Sequence, residues 1–348
     1  MPADAAGLGP RNLLLSPAPP SAAAATPAPK PSAAPGPPPA KDMVWIPGGT
    51  FLMGSTLERY PEEHPQHYAN VDGFWIDTTP VTVAHFRRFV AGTGYVTLAE
   101  RPLDPSLYPG LDPTLLVPGS LVFTPTRGPA DLSTWQNWWR YVPGANWAHP
   151  EGPSSTVGGR ELHPVTHVTW EDVCAYAAWA GKDLPTEAEW ECAARGGLDG
   201  ALYAWGEEFM PRGRPMANTW IGEFPWQNLK PVGRQRTTPV RSYSPNGYGL
   251  YDVAGNVWEW TSDFYRAEHG SDVLHACCAV PNPRVESAEG SYDSDEPGGA
   301  HIPRRVIKGG SHLCAENYCQ RYRPAARQAQ QVESSMSHIG FRCIVRPS

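Results

Sequence analysis

The 348-residue sequence predicts a single α+β domain, rich in loops and low in regular secondary structure. Three observations carry that reading. Proline is dense, with 40 residues in all and 28 of them after residue 40; that exceeds the usual background of about 5% and argues against long uninterrupted elements. The two clearest helical segments are short, and each is opened by a threonine capping pattern. The rest alternates brief apolar runs with Gly, Pro and Asn turns, and no internal repeat of useful length is visible.

Taken in order, residues 1–41 form an Ala/Pro-rich tail. Residues 1–40 hold 12 Pro and 12 Ala but no Cys, Trp, Tyr or Phe, too little apolar surface to offset the entropy of ordering, so disorder is expected. Its Leu13-Leu14-Leu15 run is too short for a secretory apolar region. Residues 42–346 are the working domain. Residues 43–53 (MVWIPGGTFLM) alternate around Pro47-Gly48-Gly49, which predicts a hairpin. Phe74-Trp75-Ile76 reads as a buried strand. Thr82 caps a helix running to Val90, with Phe86, Phe89 and Val90 on one face and Gly92 past its end. Thr169 and Asp172 open a second helix carrying Val173, Tyr176, Ala177 and Ala180 before Gly181. Thr186 and Glu189 form the capping box of a third, stopped by Gly196-Gly197. Short strands and turns such as Pro245-Asn246-Gly247 follow.

Composition removes several functional classes. No apolar run reaches the ~18 residues of a spanning helix, so no membrane role is expected. A net charge of −7 without a basic cluster argues against nucleic acid as a partner. Seven cysteines cannot all pair, so at least one thiol is free or metal-bound.

Cys314 and Cys319 are the sharpest chemical feature. Thiols five residues apart converge across one turn, and Arg321, Arg323 and Arg327 follow, a setting that favours thiolate. Paired thiolates are the soft donor set that selects Cu(I). A structural disulfide or two buried apolar thiols fit the same spacing. A zinc site would recruit His312 or His338, but a second ligand pair at the usual spacing is missing. Neither Cys-x-x-Cys nor Gly-x-Ser-x-Gly occurs. Asp252 and Glu259 are carboxylates seven apart around Gly255, a loop able to offer oxygen ligands to Ca2+ or simply to be solvated. Asp293 and the acids at 295 and 296 read as a solvated loop.

Five stretches taken together carry a resemblance. MVWIPGGTFLMGS from Met43, LPTEAEWECAARGG from Leu184, NTWIGEFP from Asn218, NGYGLYDVAGNVWEW from Asn246, and VIKGGSHLCAENYCQRYRPAAR…SHIGFRC from Val306 occur in order across residues 42–346. The chain resembles the formylglycine-generating enzymes, also called sulfatase-modifying factors. The segments at 101–139 and Cys277-Cys278 are similar to the actinobacterial branch. The resemblance implies the fold of that family, which is related to C-type lectin-like folds. It implies an oxidase that converts the cysteine of a Cys-x-Pro-x-Arg segment in unfolded sulfatases to Cα-formylglycine, using O2 and a thiol reductant.

Carried over by position, Cys314 and Cys319 match the family's Cu(I)-binding catalytic pair, and Ser311, Tyr318 and Trp258 match residues lining the oxygen and substrate pocket. Asp252, Glu259 and the carbonyls of Gly255 and Val257 match one structural calcium site. Asn218 and the Thr219 carbonyl match another, where Val232 stands in place of an Asp ligand and Arg234 offers only a carbonyl. Both disulfides of secreted members are absent: Ala177 faces Cys343 in one, and Ala194 and Pro324 replace the other. A substitute bridge between Cys174 and Cys343 stays open. The missing bridges, with no sequon and no signal peptide in the sequence read, point to a cytoplasmic, reducing setting. The substrate is expected to lie extended in a groove, its Arg met by Trp or Asp residues from 101–147. The alternative is a non-catalytic peptide-binding module on the same fold. An iron-dependent relative would need a His-rich helical domain that residues 1–41 do not encode.

Overall fold

The computed structural model describes residues 32–102, 105, 112, 116–270, 279–293 and 302–347. The tail expectation for residues 1–31, the pair Cys277-Cys278, and Asp295 and Glu296 of the acidic run lie outside the described residues. No helix among the described residues is long and apolar enough to cross a membrane.

The first strands run β1 (Met43–Ile46), β2 (Gly49–Met53), β3 (His67–Val71) and β4 (Phe74–Asp77). The hairpin predicted over residues 43–53 is replaced by a different pairing. β1 lies antiparallel to β4, Met43 opposite Asp77 and Ile46 opposite Phe74, while β2 pairs with β3, Gly49 opposite Val71. The Pro-Gly-Gly link therefore passes the chain from one sheet to another instead of folding it back. Gly48, at φ +68°, is needed there because a Cβ would fall 2.4 Å from the Val71 carbonyl oxygen.

Three helices follow the caps. In α1 (Val83–Thr93) the Thr82 hydroxyl accepts from the His85 amide, and the helix runs past Gly92 to end at Gly94 in the left-handed region. In α2 (Trp170–Trp179) and α3 (Glu187–Arg195) both capping boxes form as the sequence predicts. α1 packs its apolar stripe on α2, with Phe86 stacked on Tyr176 at 5.9 Å and Phe89 edge-on to it at 5.6 Å.

The remaining strands are β5 (Gly119–Phe123), β6 (Trp139–Pro143), β7 (Trp258–Phe264), β8 (Val280–Pro281), β9 (Arg304–Lys308), β10 (Arg327–Gln331), β11 (Ile339–Gly340) and β12 (Ile344–Val345). Among the described residues they complete four small sheets: β1-β4-β12, β10-β9-β7-β11, β2-β3-β8 and the pair β5-β6. Regular structure is thus short and scattered, as the proline content requires.

Every residue of α3 is buried although the helix carries Glu187, Glu189, Glu191 and Arg195. Each of these charges is paired. Glu187 accepts two bonds from Arg327 at 2.7 and 2.8 Å, and Glu191 takes Lys308 at 2.9 Å and Arg195 at 2.7 Å. Glu189 accepts from Arg346 at 2.7 Å. Buried charges cost several kcal/mol each unless matched in this way. Because Lys308 ends β9 and Arg327 begins β10, the same ion pairs clamp both ends of the loop between them, and that loop carries Cys314 and Cys319.

Candidate active site

Between its clamped ends the loop is shaped by Gly309-Gly310. Gly310 has φ +68°, and a Cβ there would meet the Arg321 carbonyl oxygen at 2.6 Å, so the outgoing and returning limbs of the loop touch only because this residue lacks a side chain. The close approach sets Ser311 and Cys314 beside the limb bearing Cys319 and Arg321.

The two sulfurs are in hydrogen-bond contact, 2.8 Å apart, and both residues are buried. Neither forms a disulfide; Cys174, Cys192 and Cys343 are also free, so the bridge left open between Cys174 and Cys343 does not form. The Ser311 amide donates to Cys314 Sγ at 3.4 Å, and the Leu313 amide donates to Ser311 Oγ at 3.2 Å. The Trp220 amide donates to the Cys314 carbonyl at 3.0 Å. The pair behaves as one unit with two unequal protons. The hydrogen bond from Cys314, with help from Arg321, lowers Cys319 below an ordinary thiol. Burial, then the neighbouring sulfur, drives Cys314 well above one. The shared hydrogen bond therefore makes Cys319 the more acidic of the two thiols.

Of the three arginines that follow in sequence, only Arg321 acts on the sulfurs. It lines the cavity and is held by Glu62 at 2.6 Å. Arg323 and Arg327 turn away to Glu63 and Glu187.

The sulfurs open into a cavity of ≈ 390 Å³. Ser311, Tyr318 and Trp258, the residues matched by resemblance, all line it. Tyr318 stacks on Phe224 at 4.5 Å and meets the edge of Trp138 at 5.4 Å; burial, then the two sulfurs, push its hydroxyl up to about 12. The cavity lining is aromatic at Trp135, Trp138 and Trp139 from the 101–147 region and amide-rich at Gln328, Gln330 and Gln331 on β10. No carboxylate lines the cavity among the described residues.

Sequence reading missed the amide wall and His338. The SHIGFRC motif contains His338, which was weighed only as a zinc ligand. Its ring packs on Trp139 at 4.7 Å and lines the cavity. His312 faces elsewhere, its Nδ1 2.9 Å from the Asn256 carbonyl. Among the described residues no group of three or more His, Cys, Asp or Glu is disposed around a common metal position. Two soft sulfurs facing an open cavity, without a hard ligand beside them, fit Cu(I) rather than zinc.

The two calcium expectations fare differently as donor sets. At Asp252 the carboxylate is buried and accepts from the Arg241 amide at 2.8 Å and from Asn256 Nδ2 at 3.3 Å, and among the described residues it has no ion-pair partner. Burial pushes it up to about 6, and the nearby Glu259 charge adds to the rise. Glu259 is bound by Arg342 through both oxygens and by Trp190 at 2.7 Å through Oε2, which leaves Oε1 one lone pair. A surplus negative charge remains there, and this fits a hard cation. Asn218 does not fit one: its Oδ1 already accepts from the Lys230 ammonium. Burial, then Arg234, push that ammonium down to about 8. Val232, in the place of the acidic ligand, is 95% exposed.

With this geometry established, comparison with known proteins is direct. The family model described as "Sulfatase-modifying factor enzyme 1-like domain" matches residues 28–347. The formylglycine-generating enzyme of Mycobacterium tuberculosis is 49% identical over 88% of this chain and 98% of its own. That of Thermomonospora curvata is 46% identical over 88% of this chain and 94% of its own. Among solved structures, PvdO from Pseudomonas aeruginosa superposes with a TM-score of 0.57 at 21% identity, covering 88% of this chain and 96% of that one, and shares the loop-rich α+β fold. The chain belongs to the sulfatase-modifying factor family, that of the formylglycine-generating enzymes.

Proposed function

We propose that the chain oxidises the cysteine of a Cys-x-Pro-x-Arg segment in an unfolded sulfatase polypeptide to Cα-formylglycine, and so activates the sulfatase. Membership of the family supports the reaction class. The observation that carries the reading to this chain is the pair of free, buried sulfurs 2.8 Å apart at the head of a cavity of ≈ 390 Å³.

The reaction balances as follows. The substrate Cβ–S bond and one Cβ–H bond are replaced by C=O. O2 accepts four electrons, two from that carbon and two from a pair of reductant thiols. The products are the aldehyde, hydrogen sulfide, water and the reductant disulfide. Cys314 and Cys319 would hold Cu(I), which when bound supplies the redox centre for O2 and a position for the substrate thiolate.

The chain's own residues do the rest. Cys319 is made the more acidic thiol by the Cys314 hydrogen bond and by Arg321. The Ser311 amide fixes Cys314 Sγ. Trp258, Tyr318 and Trp138 keep water from the reacting carbon, and the glutamine wall offers donors and acceptors to an extended peptide backbone. Asp252, Glu259 and the Gly255 and Val257 carbonyls would hold a structural Ca2+. The free state of all five described cysteines supports a reducing compartment, the cytoplasm.

The test supplies Cu(I), O2, a thiol reductant and a Cys-x-Pro-x-Arg peptide. Aldehyde should form, and Cys319→Ser should abolish it. A copper-loaded wild-type chain that leaves the peptide unchanged overturns the assignment.

A further inference from the structure

The misfit at Asn218 leads to a specific role for one lysine. Asn218 is almost fully buried and anchors three segments. Its carbonyl accepts from the Asn256 amide at 2.8 Å, its Nδ2 donates to the Arg236 carbonyl at 3.0 Å, and its Oδ1 takes Lys230. The chain from 221 to 236 leaves and returns to this one side chain. It is tied internally by Leu229 N–H to the Ile221 carbonyl at 2.8 Å and by Gln235 Nε2 to the Lys230 carbonyl at 3.2 Å. Two residues beyond Asn218, the Trp220 amide holds the Cys314 carbonyl, and its indole N–H holds Gln227 at 3.0 Å.

Among the described residues Lys230 forms no ion pair; Arg234 acts on it, and it acts in turn on His312. A divalent ion brought to Asn218 would meet a half-buried ammonium whose charge the Arg234 guanidinium reinforces, while Arg236 beside it is already paired with Glu151 at 3.2 Å. A half-buried ammonium still needs an acceptor, and the side-chain acceptor it has among the described residues is the Asn218 oxygen a metal would use.

We propose that Lys230 is the resident cation of the Asn218 site: its tethered ammonium takes the oxygen that the family resemblance assigns to a calcium ion, and it braces Asn218 to Trp220 and hence the backbone of Cys314. Lys230 is a positioning residue, acting on the cysteine pair through Trp220. The arrangement makes this support independent of any divalent ion, and it stands whether or not the sulfatase reaction does.

Two readouts test it without turnover. The first is Ca2+ stoichiometry by calorimetric titration of the full chain. The wild type should take at most one equivalent, assignable to Asp252, and Lys230→Met combined with Val232→Asp should take one more. The second is the rate of iodoacetamide alkylation at Cys314 and Cys319, mapped by peptide mass. Lys230→Met should change it severalfold, Lys230→Arg should keep the wild-type rate, and Ca2+ should restore that rate in the double variant. A wild-type chain that binds two equivalents overturns the proposal even if Lys230→Met fails to fold. So do Lys230→Met cysteines that react like those of the wild type.

Discussion

The Arg323 guanidinium lies against the Glu63 carboxylate and donates to both of its oxygens, at 2.6 and 2.8 Å. Both side chains are shut off from water. Arg323 also donates to the Gln320 carbonyl at 2.8 Å, so the pair fastens the chain just after Cys319 to the turn before β3. Removing one partner strands a buried charge. Glu63→Gln should therefore cost about 3–5 kcal/mol, read as a drop in the urea midpoint at constant slope. A cost near that of a surface pair, below ~1 kcal/mol, would show that Arg323 finds another partner and that the clamp is not specific.

The unequal protons of the cysteine pair give a second prediction. In the metal-free protein, one equivalent of iodoacetamide near neutral pH should label Cys319, because its thiolate is favoured by the Cys314 hydrogen bond and by Arg321. Cys314 should resist, since burial keeps it protonated. In Cys314→Ser the remaining Cys319 loses its thiol neighbour, and the rise of its alkylation rate with pH should move to higher pH. Equal labelling of both thiols at neutral pH would contradict a shared proton.

What local sequence could and could not reveal follows from the range of the forces involved. Thr169 and Thr186 satisfy backbone amides three residues away, so both capping boxes are legible in a four-residue window. Gly92 misleads as a stop signal because the helical bond from Gly94 back to Val90 still forms, and the chain ends where φ can turn positive. The hairpin fails for the opposite reason. Alternation marks β1 and β2 as strands but says nothing about their partners, which are β4 and β3. Cys314 and Cys319 announce themselves by spacing. The roles of Arg323 and Arg327 do not, since their partners Glu63 and Glu187 lie far away in sequence. Lys230 was invisible too, because a single lysine in a loop reads as solvated until Asn218 is seen under it.

The α3 network makes stability depend on acid in a defined direction. Burial alone would raise Glu187 and Glu191, but Arg327 and Lys308 outweigh it for the first, and Lys308 and Arg195 for the second. Both are held at about 2, against 4.5 when free. Folded values below the unfolded ones contribute stability that is complete above pH 4.5 and lost as pH falls toward 2, on the order of 3 kcal/mol per carboxylate. Asp263 works the other way: burial raises it from 3.8 to about 6, so the fold gains as pH drops from 6 toward 3.8. The urea midpoint should rise as Asp263 and Asp252 take up protons below pH 6, and fall steeply below about pH 4, where only the glutamate losses remain. A monotonic gain down to pH 3 would mean these ion pairs contribute nothing.

Calcium should stabilise the chain through Asp252. Glu259 is already neutralised by Arg342, so the surplus charge of the site resides on Asp252, whose donors among the described residues are an amide N–H and the Asn256 side chain. A cation bound there ties the 252–259 turn to the start of β7, and therefore to Trp258 on the cavity wall. A site filled at a hundred times its dissociation constant adds about 2.7 kcal/mol, which should appear as a concentration-dependent rise in Tm. Asp252→Asn keeps the side-chain shape and one acceptor oxygen but removes the charge, so it should abolish the Ca2+-dependent rise while leaving the metal-free Tm near that of the wild type. Chelation of the wild type should lower Tm and slow any turnover together, because the same turn carries both effects. A rise in Tm with Ca2+ that survives in Asp252→Asn would move the ion to another part of the fold.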